Sequence, residues 1–177
     1  MILEKIRGNQ EELTIRTADI QDVSAIFDLI KELAIYEKLQ DFVVTDEESI
    51  RKTLFGERAY AEVQMATLKE EAVGMVIFFH NYSTFLGKPG LYIEDLFVKE
   101  AFRGLGIGKA LFLKCVQIAR ERNCGRMEWS VLNWNPARKF YEKLGAYALK
   151  EWLVYRIDQE VMDKILKIDS SDRIDSI

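Results

Sequence analysis

Two neighbouring carboxylates, Glu94 and Asp95, stand shortly before three alternate glycines in the stretch LYIEDLFVKEAFRGLGIGKAL, residues 91–111. A carboxylate becomes a useful general base when its surroundings raise its proton affinity. The glycines, within Arg103-Gly104-Leu105-Gly106-Ile107-Gly108-Lys109, let the backbone come close to a ligand and turn its N–H groups inward. Ile107, Ala110, Leu111, Ile118 and Ala119 fall near helical spacing, so the turn opens a helix whose first N–H groups favour an anion. Two common phosphate loops do not fit. A Walker A loop needs glycine where Arg103 stands and Ser or Thr where Ala110 stands, and a dinucleotide-binding G-x-G-x-x-G needs glycine where Lys109 stands. A glycine-rich connector with a helix cap is the structural alternative, and context has to decide.

The elements that position these residues can be read outward from them. Residues 91–98 are nearly all aliphatic or aromatic and predict a buried strand. Successive strand side chains face opposite ways, so Glu94 and Asp95 are expected on opposite faces with at least one partly desolvated. An unpaired buried carboxylate is costly, which implies a function or a firm partner. A helix follows over 106–123 and a strand over 126–132, an order that fits parallel pairing through a right-handed crossover.

Upstream, a strand is predicted over 13–16, and Asp19 caps a helix carrying Val23, Ile26, Phe27, Ile30, Leu33 and Ala34. A loop covers 36–41. Thr45 and Glu48 form a capping box for a helix over 46–54. Residues 59–68 and 72–79 read as a hairpin, and 80–90 (HNYSTFLGKPG) as a surface loop. Downstream, Pro136 starts the short helix ARKFYEKLGA, closed by Gly145. A closing hairpin over 147–149 and 152–157 and a helix over 158–168 complete a mixed α/β sheet with helices on its faces. The reading is a polar leader over 1–12, one domain over 13–168 and a polar tail over 169–177.

Composition narrows the function. At 177 residues, 49% hydrophobic and with two prolines, the chain suits one well-packed domain. A net charge of −4 argues against nucleic acid as a partner. Cys115 and Cys124 are too few for a disulfide framework or zinc cluster and read as ordinary thiols. The only histidine, His80, falls in a predicted loop, so a histidine metal cluster is excluded and Ser-His-Asp or Cys-His catalysis would depend on one mobile residue. Glu4, Lys5 and Arg7 break up the first residues, and no apolar run approaches ~18 residues. A cytoplasmic protein without membrane contact is expected.

Arg103-x-x-Gly106-x-Gly108 resembles the pyrophosphate loop of the GNAT superfamily of N-acetyltransferases. The segments LYIEDLFV, RGLGIG and NWNPARKFYEKLGA occur in that superfamily's order and approximate spacing, with fold-level likeness over about 13–157 and specific motifs over 91–146. Within it, YIEDLFV, YSTFLGK and EWLVYRID are similar to the diamine group, the spermidine/spermine and thialysine N-acetyltransferases.

The resemblance implies a mixed, mostly antiparallel twisted sheet whose central parallel strands splay apart around acetyl-CoA. The pyrophosphate would rest on the N–H groups of Arg103, Gly104, Leu105, Gly106, Ile107 and Gly108, with Lys109 behind. The pantetheine arm would pair with the backbone of Leu96, Phe97 and Val98, and an N–H near Leu96 would polarise the thioester carbonyl. The implied reaction is direct attack of an amine in a ternary complex. A lysine-like amine with a pKa near ~10.4 is almost wholly protonated at pH 7, so freeing the nucleophile costs roughly 4–5 kcal/mol. Glu94 matches the family's base and Tyr141 the acid that protonates the departing thiolate. Either Asn133 or Asn135 would hold the cofactor, because this segment is one residue shorter than in many diamine acetyltransferases. The structural alternatives are an ion pair for Glu94 and core packing for Tyr141.

Acceptor recognition is implied for Asp95, Ser83, Phe85 and Trp152. The spermidine/spermine type carries an acid and a tryptophan where Ser83 and Phe85 stand, and an acid where Lys150 falls. The loss of negative charge favours a smaller diamine or thialysine-like amino acid over polyamines. Polyamine acetylation, protein or peptide acetylation, and a non-catalytic coenzyme A-binding module are the alternatives. Relatives of this type look dimeric, and Trp152, Val154 and Tyr155 offer apolar surface for a homodimer. No metal or flavin is implied.

Overall fold

The computed structural model describes residues 13–169. The expected leader over 1–12, and the expected tail beyond 169, lie outside the described residues. Five strands form one sheet in chain order: β1 (Leu13–Thr17), β2 (Glu62–Leu68), β3 (Glu71–Ser83), β4 (Lys88–Val98) and β5 (Arg126–Trp129). The first four pair antiparallel, and β5 pairs parallel with β4. Lys69 and Glu70, both at positive φ, make the two-residue turn between β2 and β3, whose twist matches that of the strands it joins. A parallel pair needs a crossover, and the helix α3 (Ile107–Glu121) supplies it.

Period-two alternation sorts the strand residues onto two faces. Val63, Met65, Met75, Ile77 and Phe97 pack with Val23, Ile26 and Leu29 of α1 (Val23–Glu37) and with Ile50 of α2 (Glu47–Phe55). On the opposite face α3 packs on β4 and β3, burying Ile107, Leu111, Phe112, Cys115 and Ile118. The start of α1 is fixed by Arg16, which holds Asp22 through both guanidinium nitrogens at 2.6 and 2.7 Å. The result is a mixed sheet with helices on both faces, as the sequence predicts.

The chain divides into two compact units. One, up to Ser130, contains this sheet and α1 to α3; the other, from Val131 onward, contains α4 (Ala137–Lys143) and α5 (Gln159–Asp169). Among the described residues no helix is long and apolar enough to cross a membrane.

Several local expectations are corrected. The predicted loop over 80–90 is mostly strand, because β3 runs to Ser83, β4 begins at Lys88, and only residues 84–87 turn, with Gly87 at φ +61°. His80 and Asn81 pair with Leu91 and Gly90 of β4, so His80 is a strand residue despite its polar side chain. Helix α1 runs on to Glu37 and closes at Lys38, at φ +60°, so Tyr36 and Glu37 are helical. Asp46, one residue after the expected cap, accepts from the Ser49 N–H at 2.8 Å and caps α2. Strand β5 stops at Trp129, and the hairpin predicted over 147–157 forms no ladder among the described residues. A β-rich sequence becomes a strand only where a partner completes its hydrogen bonds.

Candidate active site

The acids sit at a break in the sheet. Ile77 pairs with Asp95 but Phe78 pairs with Ile93, so Glu94 is the extra residue of a β-bulge. A bulge breaks the alternation and sharpens the local twist. Counted from Ile93, plain alternation puts Asp95 on the α3 face. The bulge shifts it to the α1 face, beside Ile77 and Phe97, while Glu94 is solvent-exposed.

The electrostatics of the pair follow from this placement. Asp95 is half-buried, and desolvation, then the charge of Glu94, then that of Glu37, raise its pKa to about 6. Burial also raises the pKa of Glu37, the last residue of α1. Sequence reading missed Glu37 by placing it in a loop; its signal was the helical spacing of Ile26, Ile30 and Leu33, carried one further turn. Three carboxylates therefore converge here, and the charges of Glu94 and Glu37 both disfavour ionisation of Asp95, an effect that a cation would offset.

Beyond the bulge the strands part. Pairing of β5 with β4 runs only from Gly90 to Ile93, and among the described residues no strand pairs with that edge of β4 at Leu96, Phe97 and Val98. The edge leads into the glycine loop. Gly104 and Gly106 are left-handed, at φ +80° and +84°, and open space surrounds the position of a Cβ on either. A Cβ on Gly108 would stand 3.7 Å from Val98 and 3.8 Å from Leu96, an ordinary contact. Gly106 caps α3 without a side-chain hydrogen bond. Among the described residues, none of the loop and cap hydrogen bonds between backbone groups uses an N–H of Gly104, Leu105, Gly106, Ile107, Gly108 or Lys109. These free donors at a helix N-terminus, with room in front of them, fit a pyrophosphate.

Arg103 braces this loop. Its Nε donates to the Val98 carbonyl at 3.0 Å, and its guanidinium lies 4.2 Å from the Tyr36 ring centroid and 5.6 Å from that of Phe97. The side chain thereby ties the loop to the end of α1 and to β4, while Lys109 stays exposed.

The remaining predicted residues are spread more widely. Ser83 is buried and its hydroxyl accepts from the Leu86 N–H at 3.3 Å, so it shapes the hairpin turn. Phe85, 97% exposed, forms the tip of that turn. Seven residues of extended chain separate the start of β4 from Asp95, about 23 Å at the usual rise, so Ser83 and Phe85 do not flank the acids of their own chain. In the second unit, burial raises the pKa of the Tyr141 phenol, on α4, so it holds its proton at neutral pH. Asn135 Oδ1 accepts from the Ala137 N–H at 2.9 Å and caps the turn into α4, and the Asn133 carbonyl accepts from Arg138 at 2.8 Å. Trp152 is exposed and belongs to no strand.

A bulged strand carrying acids, an edge of that strand without a partner strand and a helix N-terminus without a side-chain cap follow one another in a single strand–loop–helix segment. Residues 25–146 match the model of the acetyltransferase (GNAT) family. The chain is 36% identical to a thialysine N-epsilon-acetyltransferase of Bos taurus, over 85% of this chain and 95% of that one. It is 30% identical to an L-ornithine N5-acetyltransferase of Arabidopsis thaliana, over 92% and 91% of the two chains. An integron cassette protein of V. cholerae superposes with a TM-score of 0.74 at 25% identity, covering 88% of this chain and 98% of that one. The chain belongs to the GNAT family and is an acetyltransferase enzyme, and acetyl-CoA is that family's general acetyl donor.

Proposed function

We propose that this enzyme transfers an acetyl group from acetyl-CoA directly to the primary amine of a small diamine or diamino acid, within a ternary complex. The convergence of Glu37, Glu94 and Asp95 beside the free edge of β4 carries this reading. When bound, acetyl-CoA supplies the thioester that the amine attacks and the thiolate that leaves. The N–H groups from Gly104 to Lys109 hold its pyrophosphate, and the open backbone of Leu96, Phe97 and Val98 pairs with its pantetheine arm. Leu96 N–H is the donor for the thioester carbonyl. The acid pair attracts the ammonium and takes its proton, with Glu94 as the exposed member and Asp95 as the member of raised proton affinity. The resemblance assigns the return of a proton to the sulfur to Tyr141, whose phenol burial keeps protonated.

The similarity to enzymes named for thialysine and ornithine, both diamino acids, supports the small-amine acceptor. Polyamine acetylation is the second reading, and the third acid, Glu37, favours it because each added carboxylate strengthens the pull on a polycation. The cytoplasm is the proposed compartment and a homodimer the proposed assembly. Trp152, Leu153, Val154, Tyr155 and Ile157 stand 56% to 88% exposed in a β-rich run without a ladder, the form of a strand that a partner completes. Release of coenzyme A should be measured across ornithine, thialysine, putrescine, spermidine and a lysine-containing peptide. Turnover of the small amines is expected; turnover of the peptide alone would overturn the reading.

A further inference from the structure

A second polar cluster shares the sheet face of Asp95. Along β3 and β4 the register runs Ile77 to Asp95, Phe79 to Tyr92 and Asn81 to Gly90, so Tyr92 is the next side chain along that face. Strand β5 adds Glu128 beside Tyr92 and Arg126 beside Gly90. One alternate step along a strand and one step across place Glu128 about 8 Å from Asp95 at the backbone.

The side chains are joined to one another. Arg126 Nε lies 2.8 Å from Glu128 Oε2, Asn81 Nδ2 donates to the same oxygen at 2.8 Å, and the Tyr92 and Ser130 hydroxyls are 2.8 Å apart. Yet the set is incomplete. Asn81 Oδ1 is buried without a partner, and among the described residues the terminal nitrogens of Arg126 make no hydrogen bond. Gly90 is what makes room, because a Cβ there would stand 2.2 Å from Asn81 Oδ1 and 3.3 Å from Arg126 Cγ. Arg126 and Glu128 keep 39% and 27% of their side-chain surface, so a ligand can reach them. A bare structural ion pair requires neither the glycine nor the orphaned amide oxygen.

We propose that this cluster is the head-group subsite for an α,ω-diamino acid. The free fork of Arg126 takes the α-carboxylate, Glu128 takes the α-ammonium, and the ω-amine extends to Glu94 and Asp95. The inference rests on the small-amine reading above and sharpens it. A diamine lacks the group that Arg126 recognises, and a polyamine would bring a further ammonium toward its guanidinium.

The test is kcat/KM for ornithine against putrescine, which lacks the carboxylate, and 5-aminovalerate, which lacks the α-amine. Ornithine should be used best, with each deletion lowering kcat/KM about ten- to a hundred-fold, the value of one charge-assisted hydrogen bond. Arg126→Gln should shrink the ornithine-to-putrescine ratio by a similar factor, and Arg126→Lys should restore part of it. Thermal melting of each variant checks the fold, and the three-substrate comparison on the unmutated enzyme stands whatever the variants do. Equal use of ornithine and putrescine, or an equal loss on both in Arg126→Gln, would overturn the subsite while leaving small-amine acetylation intact. No turnover of any small amine would overturn both.

Discussion

Asp95 is the residue whose environment matters most, since burial, Glu94 and Glu37 all resist its ionisation and raise its pKa to about 6. If the acid pair is the base, kcat/KM should rise with pH through a limb near 6 that Asp95→Asn abolishes. The loss in rate should be about 10²- to 10⁴-fold. Glu37→Gln removes one of the charges that raise the value, so its limb should lie at lower pH; an unmoved limb would place the titrating group elsewhere. Stability carries the opposite sign. A folded-state pKa raised above 3.8 favours folding while Asp95 is protonated, and this contribution is lost as pH rises through about 6. Asp95→Asn imitates the protonated form and should therefore be more stable than the unmutated chain at pH 8 by about 2 kcal/mol, with the difference vanishing below the ordinary carboxylate pKa. Denaturant midpoints at pH 8 and pH 4 measure it.

At the scale of elements, the glycine loop lends itself to mutation. Gly106 holds φ +84° with open space around it, so Gly106→Ala meets no clash and only backbone strain. That strain is about 1–2 kcal/mol for an L-residue. It should surface as a raised KM for acetyl-CoA more than as a fall in melting temperature, because the loop relaxes while α3 stays packed. The loop, α3 and the acid-bearing strand were legible in the sequence because each is specified locally, by glycine spacing, by helical periodicity and by an apolar run. The bulge was not. Nothing in YIEDL marks which residue will be extra, since a bulge is settled between two strands, and so plain alternation from Ile93 cannot tell which face Asp95 takes. The setting of Ser83 was hidden for a related reason, because β3 runs on far enough to turn its hydroxyl into the hairpin. Glu37 went unnoticed because the helix was ended before Tyr36, and the Arg126–Glu128 pair because the register that sets it beside Gly90 and Tyr92 is not written in a motif.

For the whole molecule, the exposed β-rich run from Trp152 to Ile157 should decide the assembly. Light scattering is expected to find a dimer, and Val154→Asp should drive it toward monomer with a melting temperature that no longer depends on concentration. A monomer at micromolar concentration in the unmutated chain would rule this assembly out. The strand order holds one more consequence. Every strand pairs with its immediate predecessor, and only the last pair spans a crossover. On the ribosome, each new strand therefore emerges to find its template already laid down, and pairing need not wait for a later segment. A nascent chain that has reached Val98 already has what the four-stranded meander requires, with Asp95 set in it. The glycine loop and the parted edge come only with the next stretch of translation, so the proposed base is synthesised before the proposed cofactor site.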